Sequence, residues 1–96
     1  MKISKVYALL TRVNIDENYE ILGVYRSEES AIKHLRDLRL SQCSLEANGH
    51  CRIIHEFYSE EMMMYDVIYD LIYDHSDDRK ERMQYEYHIK ETTLID

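Results

Sequence analysis

Tyrosine and aspartate recur at every fourth position through Tyr65-Asp66-Val67-Ile68, Tyr69-Asp70-Leu71-Ile72 and Tyr73-Asp74. This repeat constrains the fold more than any other feature of the chain. On a helix, at about 100° per residue, four residues advance one turn plus roughly 40°, so each residue type forms a slowly drifting stripe. On a strand, Tyr65, Val67, Tyr69, Leu71 and Tyr73 line one face, and Asp66, Ile68, Asp70, Ile72 and Asp74 the other. We expect the helix, because Asp is depleted in strands and the segment exceeds the usual strand length. Punctuation agrees: Ser59-Glu60-Glu61 precedes this segment as Ser27-Glu28-Glu29 precedes another helical pattern.

The helical reading gathers Asp66, Asp70, Asp74, Asp77 and Glu81 on one acidic face, with Tyr69 and Tyr73 beside it. Charge is concentrated in the same half of the chain. Residues 56–96 hold twelve acids against four bases, a net of −8, whereas residues 1–55 have a net of +1. Like charges stacked at i,i+4 repel by a few tenths of a kcal/mol, so the helix itself gains nothing from them. Two readings follow: a solvated face that keeps the protein soluble, or a surface that meets a basic partner. As a DNA mimic the stripe is sparse. It spans about 22 Å with five carboxylates, where duplex DNA carries roughly thirteen charges.

Ninety-six residues with two Gly and no Pro predict one compact domain over 1–96 without a flexible linker. No apolar run approaches the roughly 20 residues needed to span a bilayer, and the N-terminal residues lack an apolar signal core. With two cysteines, this points to the cytoplasm. A net charge of −7 argues against direct binding of nucleic acid or anionic membrane.

Residues Lys5 to Val13 and Tyr19 to Arg26, joined by a polar turn, read as an antiparallel hairpin whose first strand is central. Ser27 caps a helix with the stripe Ala31, Ile32, Leu35 and Leu38, which can continue through Leu45 until Asn48-Gly49 ends it. Residues Cys51 to Tyr58 form a further candidate strand, although Arg52, His55 and Glu56 break its alternation. Gln84 to Glu91 alternates cleanly, with Tyr85, Tyr87 and Ile89 against Glu86, His88 and Lys90, and reads as a strand with one solvated face. The expected fold is α+β: a small antiparallel sheet of the N-terminal hairpin plus the C-terminal strand, with two helices, in the order β-β-α-(β)-α-β.

The segments Lys5-Val6-Tyr7-Ala8-Leu9, Tyr19 to Ala31 with its Gly23-Val24-Tyr25-Arg26-Ser27-Glu28-Glu29 junction, and Tyr85-Glu86-Tyr87-His88-Ile89-Lys90-Glu91 resemble a pattern in small uncharacterised proteins of phages and mobile elements. The resemblance covers about the first 40 and last 12 residues. It implies a ββαβ core and a compact protein-binding module of the kind that acts on host defence or regulation, and it carries over no functional residues. Residues 41–80 depart from the pattern and read as an insertion carrying the acidic helix.

Cys43, His50, Cys51 and His55 are the one cluster of zinc-ligand types. Seven residues separate the cysteines and four the histidines, which is unlike the paired spacing of zinc sites. No nucleophile–base pair, phosphate loop or metal motif is present, so neither catalysis nor a cofactor is expected. The nine tyrosines and Met62-Met63-Met64 supply core, and the surplus suits an interface with a partner or a second copy of the chain. We therefore expect a non-enzymatic protein-binding module. Its face of Asp66, Tyr69, Asp70, Tyr73, Asp74, Asp77 and Glu81 would engage and inhibit a basic, nucleic-acid-handling host protein. Alternatives are a metal-stabilised or small-ligand regulatory module built on the Cys/His cluster, and an interaction protein whose acidic stripe serves solubility alone.

Overall fold

The computed structural model describes residues 3–15, 18–72 and 81–95. Their order is β1 (Ile3–Val13), β2 (Glu20–Tyr25), α1 (Glu28–Ala47), β3 (Cys51–Ser59), β4 (Met64–Leu71) and β5 (Glu81–Ile95). The strands form one antiparallel sheet in the order β2-β1-β5-β4-β3. The protein is thus mainly a β-sheet with one helix, which corrects the expected α+β fold with two helices.

The correction falls on the Tyr-Asp repeat. Residues 64–71 are the strand β4, held between β3 and β5. A period of four is also two full alternations of a strand, so every Tyr stays on one face and every Asp on the other without the drift a helix would impose. Tyr, Val and Ile suit a strand covered by neighbours, and that tertiary packing outweighs the Asp penalty. The Ser-Glu-Glu punctuation is shared but leads to different structures. Ser27 Oγ accepts the Ser30 N–H at 3.2 Å and starts α1. Ser59 Oγ likewise accepts the Met62 N–H at 3.0 Å, but Met63 then takes φ 55° and the chain reverses into β4.

The remaining elements follow the sequence closely. β1 and β2 form the expected hairpin, and β1 is interior, flanked by β2 and β5. The helix runs to Ala47 and ends where Gly49 adopts φ 80°, a left-handed conformation natural to glycine. β3 exists, and its broken alternation is a one-residue bulge: Ile53 pairs with Tyr69 and His55 with Ile68, leaving Ile54 extra. β2 carries an equivalent bulge at Leu22, because Gly23 pairs with Leu9 and Ile21 with Leu10.

The four strand pairings leave one face for α1. Ala31 and Leu35 of the helix join Leu9, Cys51, Tyr65, Val67, Tyr69 and Ile89 in a single buried cluster. Tyrosine rings carry much of this layer: Tyr65 stacks with Tyr87, Tyr87 with Tyr85, and Tyr85 with Tyr69, at centroid distances of 5.8, 5.9 and 5.9 Å. Among the described residues, the opposite face of the sheet bears no helix.

The strands are staggered about β5. Residues 81–88 of β5 pair with β4, residues 85–95 pair with β1, and only 85–88 are paired on both sides. The long β5 thereby joins two ribbons, β3-β4 on one flank and β1-β2 on the other.

Candidate functional site: the uncovered sheet face

β4 separates the residues that the sequence reading placed together. Tyr69 lies on the helix-covered face and is buried, whereas Asp66 and Asp70 lie on the uncovered face. Asp70 is buried beside Arg82, whose guanidinium donates to both carboxylate oxygens at 2.9 and 3.2 Å. Glu81 opens β5 opposite Leu71. Tyr73, Asp74 and Asp77 lie outside the described residues. Among the described residues, Tyr65 to Leu71 form a strand and not an acidic helical stripe.

The Cys/His cluster is dispersed as well. Cys51 is buried under α1, where its sulfur accepts from Gln42 Nε2 at 3.1 Å, and Cys43 sits on α1 with its thiol toward Glu56 at 3.8 Å. Burial, as the first cause, pushes both thiols up from their ordinary range. His55 follows the bulge and faces the uncovered side, and His50 precedes β3 at an exposed position. Among the described residues no group of three or more His, Cys, Asp and Glu is placed to hold a metal ion.

What the sheet does bring together is a row across four strands. Register aligns Arg12 of β1, Glu86 of β5, Asp66 of β4 and Phe57 of β3 side by side on the uncovered face. Arg12 donates to Glu86 Oε2 through Nε at 3.0 Å and Nη2 at 2.6 Å, both groups being half-buried. The Tyr19 hydroxyl donates to the same oxygen at 3.3 Å. Its ring lies 4.8 Å below the Arg12 guanidinium and 4.9 Å from His88, edge-on.

Asp66 behaves differently from its neighbours. Among the described residues it receives no hydrogen bond and no ion pair. Burial first, and the Glu86 charge second, hold its carboxyl above the ordinary aspartate range, with His55 and His88 opposing. Its same-face neighbours are mixed: Met64 and Ile68 on its own strand, Phe57, 41% exposed, beside it on β3, and Glu86 beside it on β5. Across β5 a second apolar group follows, with Ala8 and Leu10 on β1 and the exposed Ile21 and Val24 on β2.

Sequence reading found Asp66 but missed Arg12, Tyr19, Phe57, Glu86 and His88. Alternation in residues 84–91 does place Glu86 and His88 on one solvated face. The rest of the row depends on pairing between residues as far apart as Arg12 and Glu86.

Among the described residues, the fold and this face define a class: a two-layer arrangement of one antiparallel sheet and one helix, with no element on the second sheet face. The chain belongs to the family described as Domain of unknown function (DUF7336), whose model matches residues 4–62, from β1 to the turn after β3. Neither the comparison with curated proteins nor that with solved structures gives a match. Among the described residues no helix is long and apolar enough to cross a membrane.

Proposed function

We propose that the protein is a non-enzymatic protein-binding module that recognises its partner through the uncovered sheet face. The supporting observation is Asp66, a half-buried carboxylate without an ion-pair partner among the described residues, set among Met64, Ile68 and Phe57. Such a carboxylate carries a desolvation cost that a cation removes, and Met64, Ile68 and Phe57 shield part of the resulting pair from water. The fitting partner is a protein surface with one Lys or Arg projecting from apolar surroundings. Arg is favoured because its planar guanidinium is more weakly hydrated. The basic partner expected from sequence is thereby kept in reduced form, with one cation-accepting position in place of a five-carboxylate stripe. Inhibition of a nucleic-acid-handling protein is one use of such contact.

Site-specific photocross-linking tests this reading. A benzophenone amino acid replaces Phe57 in one variant and Leu40, exposed on α1, in another, and each is irradiated in cells that make the protein. A protein adduct at position 57 that disappears with Asp66→Lys, and is absent at position 40, is the expected result. Equal adducts at both positions, or none at position 57, would overturn it.

A further inference from the structure

The stagger of the sheet leaves a second, separate surface. β4 begins at Met64, opposite His88, and the last contact from that flank is the Ile89 N–H donating to the Met63 carbonyl at 3.0 Å. Beyond it β5 runs on to Ile95 with β1 on its other side. Among the described residues, Lys90–Ile95 has no strand along this edge. Backbone groups alternate in direction along a strand, so the outward Ile89 N–H sets the parity. Glu91, Thr93 and Ile95 direct their N–H and C=O groups away from β1, and Lys90, Thr92 and Leu94 direct theirs toward it.

This edge differs from the other two. The outer edges of β2 and β3 each carry a bulge, at Leu22 and Ile54, a device that discourages strand addition. The β1–β5 ladder keeps its register through eleven residue pairs without a shift, and Lys90 to Leu94 are exposed. The edge has neither bulge nor Pro, and although Lys90 is a charge of the kind that blunts edges, Thr92 to Ile95 carry none, so it can serve as a template for another strand.

We infer that a second copy of this chain pairs with β5 along Lys90–Ile95, antiparallel, about a two-fold axis beside Thr93. Three observations favour a second copy over another protein's strand. The axis is isologous, so each copy offers the other the same odd-numbered row of donors and acceptors. Lys90 and Glu91 cancel, so within a chain of net charge −7 the segment that meets its counterpart is neutral. Finally, the β1–β5 ribbon projects past β4 and β3 by the same residues that lack a partner, so the ribbon of each copy fills the notch of the other. Thr93 then faces its counterpart and exchanges two N–H···O bonds with it, a β-branched cross-strand pair. The dimer surface is separate from the face carrying Asp66, and neither proposal depends on the other.

Thr93→Pro is the decisive variant. Proline removes the outward N–H at that position and leaves the ladder to β1 intact, the setting in which strands tolerate it. Sedimentation velocity on the full chain should show a concentration-dependent dimer. In Thr93→Pro the association should weaken by at least about tenfold, since two bonds are lost per dimer. Hydrogen exchange on the unmodified chain reads the same edge without any variant: the Glu91 and Thr93 amides should gain protection as concentration rises. A chain that stays monomeric at about 1 mM, far above the usual range of specific dimers, overturns the proposal. So does a dimer that forms without protecting these amides.

Discussion

The two faces of this sheet are built by the same strands yet obey different chemistry. On the covered face, Leu9, Tyr65 and Val67 are essentially inaccessible beneath Ala31 and Leu35. Some polar groups there are satisfied locally: the Tyr65 hydroxyl donates to Glu56 Oε2 at 3.1 Å, and Arg39 donates to the other oxygen of the same carboxylate at 3.2 Å. Burial, first of the causes, pushes the Tyr87 phenol up to about 12, so it stays protonated throughout the physiological range. One residue along each strand, the side chains face the other way, and charge and apolar surface are mixed in a row that runs from Arg12 through Glu86 and Asp66 to Phe57. The covered face is organised by exclusion of water and the uncovered one by cross-strand register. Stability should therefore reside on the first and recognition on the second.

The sharpest way to break that comparison is to truncate matching apolar residues on both faces. Leu35→Ala, at a fully buried position, should cost about 3 kcal/mol because it removes contacts and leaves a cavity. Phe57→Ala, at a partly exposed position, should cost less than about 1 kcal/mol. Urea denaturation of the two variants measures both, and equal costs would remove the distinction between the faces. A smaller effect is expected from Tyr65→Phe, which deletes the hydroxyl bonded to Glu56 but leaves Arg39 in place. A loss of about 1 kcal/mol by the same measurement would match a single hydrogen bond.

The smallest predicted effect lies at the rim of the covered face. Bonds from Arg36, then from Tyr58, lower the partly exposed Glu60 carboxyl from 4.5 to about 2. A carboxylate with a depressed folded-state pKa stabilises the fold above its unfolded value, and the contribution is lost as pH falls through the folded one. Acid denaturation should therefore show a sloping limb between pH 4.5 and about 2 that flattens in Glu60→Gln. An unchanged slope would mean that solvent screening leaves the Arg36–Glu60 pair without effect.

Local signals written in neighbouring residues were legible. The Ser27 cap and Asn48-Gly49 bracket α1, the polar turn after Val13 joins a hairpin, and the alternation of Gln84 to Glu91 marks part of β5. Asp66 was legible as an acidic residue of interest, but its setting was not. Arg12, Glu86, Asp66 and Phe57 become neighbours only when β1, β5, β4 and β3 adopt one register, and no short-range pattern encodes that alignment. The same limit applies to Ser59-Glu60-Glu61, where an identical capping bond starts a helix in one place and a reversal in the other.

By itself the sequence determined the turn after Val13, which residues bracket α1, and that tyrosine and aspartate in residues 65–70 must keep to fixed stripes. Only the tertiary structure decided whether those stripes share a helix or oppose each other across a strand. A four-residue period satisfies both geometries locally, and the choice falls to hydrogen-bonded neighbours distant in the chain. With β3 on one side and β5 on the other, the strand pairs its backbone groups and buries every second residue, Tyr65, Val67 and Tyr69. An isolated helix of the same residues would leave its apolar side without cover.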